Sequence, residues 1–282
     1  MPTLNSEISQ PLMSALKLKA KRTNATEDEI VTRALADELQ FSHATLFQVS
    51  TSGAIVEGAT KGVITVRELK RHGDFGLGTF ADLDGEMVAF DGHFWRVPAF
   101  GGLREAADFD LTPFAVVTAF QPERTNELPG VGSFVDLERK LDSLRDSNNL
   151  FIAVRIDGEF THAHTRSLCK TALGPGLLEA ASHQAEFDFE NVAGTIVGFW
   201  TPEYAKAIGV TGWHLHFLNE NRSGGGHLLD VEANTLKTQI QHLHELRVVI
   251  PESLEFLHAD LTQDTSMALD RAERSVGARR TQ

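Results

Sequence analysis

The sequence of residues 211–231, TGWHLHFLNENRSGGGHLLDV, combines a strand pattern with three histidines. On a β-strand, successive side chains point to opposite faces, so His214 and His216 share one face while the apolar residues around them pack on the other. His227 follows His216 by eleven residues, beyond a Ser-Gly-Gly-Gly turn at 223–226. This spacing suits a hairpin that returns His227 to a position opposite the pair. The stretch therefore predicts two adjacent strands that gather three imidazoles.

Three gathered imidazoles predict a metal site. Burying imidazoles on an apolar strand is costly unless their nitrogens find partners, and neutral imidazole is a ligand that suits zinc. Three histidines with an open fourth position form the ligand set of a catalytic zinc centre. We therefore expect His214, His216 and His227 to bind Zn²⁺.

Other interpretations compete with this one. Two further His-x-His pairs, at 162/164 and 242/244, lack a histidine after a glycine-rich turn and fit solvent-facing or internally satisfied pairs. A cupin-like oxygenase or isomerase could use the same three histidines, because His214-x-His216-x-x-x-Glu220 resembles the first cupin motif. That motif requires a glycine six residues before its first histidine, where this chain has Ile208. A purely structural metal, with Glu220 closing the fourth position, is a third possibility.

Short apolar runs separated by Gly, Asp and Pro continue on both sides of this stretch and favour a β-rich fold. Two Asp-Gly pairs, Asp91-Gly92 and Asp157-Gly158, are typical of tight hairpin turns. Strands are predicted at 44–50, 76–80, 87–90, 93–97, 114–120, 151–156, 160–165, 187–189, 194–200, 211–218, 227–231 and 236–249. Helices are predicted at 66–72, 137–144 and 264–273, with one more that Thr26 caps and that runs to Leu39. Regular βαβ alternation is absent, so the fold class is α+β, dominated by β.

Composition narrows the classes of function. The 282 residues carry a formal net charge of −13, which disfavours binding to nucleic acid. The densest basic run, Lys17 to Arg22, fits a solvated face of an N-terminal extension over residues 1–41. The single cysteine, Cys169, excludes an internal disulfide and suits a reducing compartment. With no apolar run of membrane-spanning length and no signal-peptide pattern, we expect a cytoplasmic protein that does not bind membranes.

Three separated motifs resemble the alpha-acetolactate decarboxylase family. The first is HGDFGLGTF at 72–80, followed by LDGEMVAF at 83–90. The second is the segment 151–160 with Thr165-Arg166 after it. The third is GTIVGFWTPEY at 194–204, followed by GWHLHF at 212–217 and GGH at 225–227. The resemblance covers roughly residues 42 to 275.

The resemblance implies a fold in two parts and a homodimer. It predicts a mixed β-sheet region over 42–175, then a smaller β-barrel-like region over 176–282 that carries the metal site, with the Gly-Pro-Gly stretch at 174–176 between them. It also implies a zinc ion on His214, His216 and His227.

The family adds two glutamates and an arginine around the metal. Glu86 matches the first glutamate and Arg166 matches the arginine. The second glutamate comes from the C-terminal segment, where Glu273 matches best, while Glu252 and Glu255 remain possible. Without the resemblance, Glu86 fits an exposed turn residue and Arg166 a surface arginine or ion-pair partner.

The reaction that the resemblance implies is the decarboxylation of 2-acetolactate to acetoin and CO₂. Loss of CO₂ leaves electrons that flow into the neighbouring ketone and give an enediolate, which a Zn²⁺ Lewis acid would stabilise without an organic cofactor. A carboxylic acid with a raised pKa could then protonate one face of it, so Glu86 and Glu273 are the candidate donors. Arg166 offers a planar fork of donors for a carboxylate or an oxygen of the intermediate.

Overall fold

Two helices form the N-terminal unit, Met1–His43. They are α1 (Gln10–Thr23) and α2 (Glu27–Glu38). The helix predicted after Thr26 is confirmed by α2. The computed structural model describes residues 5–23, 25–39, 44–170, 177, 184–265 and 267–269.

The second unit, Ala44–Gln282, is built mainly from strands. The strands are β1 (Thr45–Val49), β2 (Ile64–Thr65), β3 (Phe75–Thr79), β4 (Glu86–Phe90), β5 (His93–Val97), β6 (Arg104–Glu105), β7 (Leu111–Thr112), β8 (Phe114–Thr118), β9 (Arg124–Val131), β10 (Phe151–Ser167), β11 (Ala185–Thr201), β12 (Gly212–Asn219), β13 (Gly225–Leu243) and β14 (Glu245–Val249). The helices are α3 (Ser52–Val56), α4 (Val66–Leu69), α5 (Phe134–Asp142) and α6 (Leu254–His258), with 3-10 turns at Ala81–Leu83 and Glu203–Ala205. The β-dominated α+β class is confirmed. No helix in the described part of the chain is long and apolar enough to cross a bilayer.

Two sheets organise these strands. The first has seven strands in the order β14-β1-β8-β3-β4-β5-β6 and is mixed, because β1 pairs in parallel with β14 and antiparallel with β8. The second has the order β10-β11-β12-β13-β9. Since β10 also pairs with β13, strands β10 to β13 form a closed ring of pairings. The small pair β2–β7 stands apart from both sheets.

Three apolar clusters fill the space around the sheets. One draws residues from both sheets, such as Leu77 and Val88 from the first and Val197 and Leu218 from the second, and so lies between them. A second packs the residues that face the interior of the strand ring, including Phe217. The third covers the other face of the first sheet, where α4 contributes apolar residues. The functional residues described below lie at the layer between the sheets.

The two Asp-Gly pairs have different outcomes. Asp91 and Gly92 have φ values of 53° and 79°, as a tight hairpin turn requires, and they join β4 to β5. The turn predicted at Asp157-Gly158 is wrong, because β10 continues through it. Gly158 pairs with Gly194 of β11 on one side and with Leu236 of β13 on the other, so ladder partners on both sides favour an extended chain there.

Several other predicted strands have different bounds in the structure, because some merge into one longer strand and one is split between the two sheets. The strands predicted at 187–189 and 194–200 are one strand, β11. The strand predicted at 227–231 and the first part of the one predicted at 236–249 are both in β13. The strand predicted at 236–249 divides after Leu243, because β14 leaves the second sheet and joins β1 in the first. Of the helix predicted at 264–273, residues 267–269 are helical and the end of the range lies outside the described residues.

Neither sheet is built from one continuous region of the sequence. Strands β9 and β10 belong to the second sheet although they precede residue 175, and β14 belongs to the first sheet. The boundary expected at 175/176 lies outside the described residues, so the regions 42–175 and 176–282 stay a prediction.

A capped helix provides the first quantitative prediction. The Ser133 side chain accepts a hydrogen bond from the Asp136 backbone N–H at 3.2 Å, at the N-terminus of α5. Ser133→Ala should lower the free energy of unfolding by about 1 kcal/mol, because one helix N–H loses its acceptor. Urea denaturation measures this, and an unchanged midpoint would contradict it.

Candidate metal centre and active site

The three predicted histidines meet at the junction of β12 and β13. His216 pairs directly with His227 across the two strands, while His214 stands two residues earlier on the same face of β12. The ligand atoms of the three imidazoles all lie within 4.8 Å of one another, and all three residues are buried. Among the described residues, this is the one group of three or more potential ligands gathered closely enough to hold a metal ion.

Hydrogen bonding and burial prepare these rings for a cation. The Nδ1 of His216 lies 2.8 Å from the carbonyl oxygen of Met87. A carbonyl only accepts, so Nδ1 carries the proton and Nε2 keeps its lone pair. Burial, and then the charge of Arg166, lower the pKa of His214 to about 3. His214 is therefore neutral at pH 7, the form that binds metals.

The other two His-x-His pairs are engaged elsewhere. His162 and His164 lie beside carboxylates of β11, at 2.9 Å from Asp188 and 3.0 Å from Glu186 respectively. His242 lies 2.7 Å from Glu123, while His244 is exposed. Neither pair belongs to a group of three potential metal ligands among the described residues, so neither offers a second three-histidine site there.

Glu86 and Arg166 face each other beside the histidines. Glu86 begins β4 in the first sheet and Arg166 lies near the end of β10 in the second. An Arg166 Nη1 donates to Glu86 Oε1 at 3.3 Å, and Glu86 Oε2 lies 3.8 Å from His216 Nε2. The exposed fraction of Glu86 is only 4% and that of Arg166 only 1%. Because both residues are buried, the interpretations of Glu86 as an exposed turn residue and of Arg166 as a surface arginine are wrong, whereas Arg166 is an ion-pair partner, of Glu86.

A change of side-chain alternation along β10 directs Arg166 to this place. The even-numbered residues Ile152, Val154 and Phe160 pack inside the strand ring, and so does the odd-numbered Ala163. The alternation therefore reverses between 160 and 163, where the pairing with β13 shifts register. Without this irregularity, Arg166 would share the apolar interior with the even-numbered residues.

A cavity of about 40 Å³ connects these groups. A single water needs only about 10–15 Å³ by the same kind of measure, so the space suits a small molecule. Its polar side contains Glu86, Arg166, His214 and His227. Its apolar wall consists of Ile55, Leu83, Phe114, Leu168, Leu177, Val210 and Leu269.

The three candidate glutamates of the C-terminal segment differ in their relation to the cavity. Glu252 and Glu255 are exposed and do not line the cavity. Glu273 lies outside the described residues, and Leu269, four residues before it, lines the cavity. Glu220 is exposed in the turn between β12 and β13 and is not part of the group of ligand atoms.

Two hydroxyl residues near the site were missed by sequence reasoning. Thr79 lines the cavity and donates through Oγ1 to the Gly85 carbonyl at 2.9 Å. Ser167 donates through Oγ to the Val97 carbonyl at 2.6 Å. Thr79 lies inside the quoted motif 72–80, and Ser167 directly follows the quoted Thr165-Arg166. Their roles depend on contacts between strands that no local pattern reveals.

The close approach of two backbones at Gly226 leads to a second prediction. Gly226 has φ +133°, and an added Cβ would stand 2.3 Å from the Arg166 carbonyl oxygen. Gly226→Ala should push β13 away from β10 beside His227 and weaken the binding of the expected zinc ion by about 10- to 100-fold. A zinc titration against a competing chelator measures this.

Gly92→Ala is the matched control for that variant. Gly92 also has positive φ, +79°, but nothing lies within 4 Å of the added Cβ. The control should lose about 1 kcal/mol of stability and keep its zinc affinity. Equal zinc affinity in the two variants would refute the assignment of a role to the Gly226 contact.

Comparison with known proteins agrees with the motifs. The alpha-acetolactate decarboxylase family model matches residues 46–263. The chain is 40% identical over 229 residues to the alpha-acetolactate decarboxylase of Brevibacillus brevis, across 81% of this chain and 80% of that one. It is 41% identical over 230 residues to that of Methanosarcina mazei, across 81% and 80%.

Solved structures show the same relationship in three dimensions. The crystal structure of alpha-acetolactate decarboxylase from Bacillus subtilis strain 168 superposes with a TM-score of 0.78 at 35% identity, covering 82% of this chain and 99% of that one. A Staphylococcus aureus protein of unknown function, described as similar to alpha-acetolactate decarboxylase, superposes with a TM-score of 0.77 at 31% identity, covering 81% and 100%. The chain belongs to the alpha-acetolactate decarboxylase family and is a carboxy-lyase.

Proposed function

We propose that this carboxy-lyase converts 2-acetolactate to acetoin and CO₂ with the help of a zinc ion. One observation carries the proposal: three buried imidazoles lie together, and two of them, His214 and His227, line a small cavity with Glu86 and Arg166. Each of these five residues lies within the segment that matches the family model, residues 46–263.

The histidine cluster fits zinc. Tetrahedral zinc with Zn–N bonds of about 2.0–2.1 Å places its ligand nitrogens about 3.3 Å apart. The Nε2 atoms of His214 and His216 are 3.1 Å apart. This separation is close to the spacing of two nitrogens that bind the same zinc ion, and His216 Nε2 keeps the lone pair that such a bond needs. When bound, zinc supplies a Lewis acid for the oxygens of the substrate.

The apolar wall and Arg166 would act on the substrate carboxylate. The bond between the carboxylate carbon and C2 breaks, CO₂ leaves, and the electron pair moves into the neighbouring ketone to give an enediolate. Apolar residues of the cavity exclude water from the carboxylate, which favours its conversion to neutral CO₂. Arg166 holds one of the substrate oxygens through its planar donors.

The enediolate must next gain a proton on carbon. In this proposal the carboxylic acid form of Glu86 donates it, because this carboxyl lies in the cavity wall next to His216 and Arg166. The carboxylate that results pairs with Arg166 and regains a proton from water before the next turnover. A donor fixed on one side gives one acetoin enantiomer. Glu273 is the second candidate donor, supported by the family resemblance and by the position of Leu269 in the cavity wall.

Two further parts of the proposal concern the setting of the enzyme. A homodimer is proposed from the family resemblance, and light scattering of the purified protein tests it. A cytoplasmic location is proposed from the single cysteine, Cys169, and cell fractionation tests it.

The test of the reaction uses the purified full chain and racemic 2-acetolactate. We expect stoichiometric CO₂ and acetoin, loss of both products after chelation, and recovery when zinc but not magnesium is added back. No acetoin from a folded, zinc-loaded chain would overturn the proposed reaction. Full turnover after complete removal of metal would overturn the role of zinc.

A further inference from the structure

Three side chains from three different strands hydrogen-bond to the backbone around Glu86. Thr79 of β3 donates to the carbonyl of Gly85, the residue before it, at 2.9 Å. His216 of β12 donates to the carbonyl of Met87, the residue after it, at 2.8 Å. Ser167 of β10 donates to the carbonyl of Val97 at 2.6 Å, and Val97 is the residue paired with Glu86 across the β4–β5 ladder.

One of these three hydrogen bonds lies within the first sheet, and the other two connect the second sheet to the first. Thr79 lies in β3 and Gly85 directly precedes β4, and both strands belong to the first sheet, so this bond does not restrain one sheet against the other. His216 and Ser167 come from the second sheet and tie it to the first. His216 is also a proposed zinc ligand, whereas Ser167 does not line the cavity and is not in the group of ligand atoms.

Ser167 is placed where the two sheets bring opposite charges together. It directly follows Arg166, and it is fully buried. Its bond therefore joins the neighbour of Arg166 to the strand partner of Glu86. The separation of the two charged groups, 3.3 Å between Nη1 and Oε1, depends on how the ends of β10 and β5 are held against each other.

We propose that Ser167 is a positioning residue that holds the Arg166 end of β10 against the Glu86 end of the first sheet. This inference rests on the proposed function, because it assigns Ser167 a part in orienting two groups that act on acetolactate. Ser167 touches neither substrate nor metal and acts through the backbone. Displacing catalytic groups by about 1 Å costs up to about 10²-fold in rate.

The experiment compares Ser167→Ala with Ser167→Thr and with the matched control Ser133→Ala. Both alanine variants lose one serine hydroxyl that bonds to backbone, but Ser133 lies at the start of α5 and does not line the cavity. We measure kcat and KM for acetolactate, zinc per chain, and the urea midpoint. Ser167→Ala should lower kcat by about 10- to 100-fold, with KM within about threefold of the parent and zinc content unchanged. Ser167→Thr, which keeps the hydroxyl, should recover most of the rate.

The outcomes distinguish failure of the positioning role of Ser167 from failure of the proposed function. If Ser167→Ala keeps kcat within about twofold of an active parent, the positioning role is overturned and the proposed function stands. The positioning role is also overturned if Ser133→Ala and Ser167→Ala have the same urea midpoint and lose kcat to the same extent. Lost stability would then explain the lower kcat of both variants. An inactive, folded, zinc-loaded parent overturns the proposed function and this inference with it.

A second pair of variants covers the case in which Ser167→Ala does not fold. Ser167→Cys keeps nearly the same volume with a weak donor, and Ser167→Thr keeps the strong donor. The positioning role requires a higher kcat in Ser167→Thr than in Ser167→Cys. A higher or equal kcat in the cysteine variant overturns it.

Discussion

His216→Ala is expected to remove zinc from the chain and to lower acetoin formation by about 10³-fold or more. A bound metal contributes several kcal/mol of transition-state stabilisation, and each 1.36 kcal/mol corresponds to about a tenfold change in rate. This residue does two things: its Nε2 faces the nitrogens of its neighbours, and its Nδ1 ties β12 to Met87 of β4. Zinc per chain, measured by metal analysis after dialysis, should fall with the rate.

The matched control is His162→Ala. His162 also belongs to a His-x-His pair and is also buried, with 7% of its surface exposed, but its partner is Asp188. We expect this control to keep its zinc and to turn over at nearly the parent rate. If His216→Ala retained a full equivalent of zinc and normal turnover, the histidine cluster would not be the metal centre.

Glu86→Gln is expected to have the next largest effect. A side chain that donates a proton in the transition state contributes about 10²- to 10⁴-fold, and glutamine has no proton to give at this position. Turnover should fall within that range while zinc content stays constant. The acetoin formed should also lose enantiomeric purity, because protonation from water is less restricted to one side.

Stability must be measured for the same variant. The substitution removes the charge that Glu86 presents to the buried guanidinium of Arg166 at 3.3 Å, which costs folding free energy as well as rate. Glu105→Gln is the chemical control, because Glu105 is a half-exposed glutamate of the first sheet paired with His93. Its turnover and product should match those of the parent.

The outcome for Glu273 completes this experiment. If Glu86→Gln retains full turnover and stereochemistry while Glu273→Gln loses both, Glu273 is the donor. If both variants retain both properties, neither glutamate donates the proton, and that step of the proposed reaction is discarded.

Much of the candidate metal centre could be predicted from sequence because its signal is local. Alternation along a strand places His214 and His216 on one face, and a glycine-rich turn returns the chain so that His227 pairs with His216. The Asp91-Gly92 hairpin is equally local, since its turn requires positive φ at two neighbouring residues and those residue types tolerate it.

The same local rule failed at Asp157-Gly158 because strand partners decided the outcome. With β11 on one side and β13 on the other, the extended chain satisfies its backbone groups without turning. A pattern of residue types carries no information about which partners the rest of the chain will supply. The division of the predicted strand 236–249 between two sheets has the same origin.

By itself, the sequence determined the β-dominated class, the family and the three histidines, because each depends on residue types at short, regular spacings. The family resemblance placed Glu86 and Arg166 around the metal, but only the tertiary structure decided that they are buried and contact each other, although 80 residues separate them. It also decided that Ser167 ties the two sheets together beside them. The physical reason is that these contacts depend on the packing of two sheets and on a register shift in β10, and both are set by the whole chain.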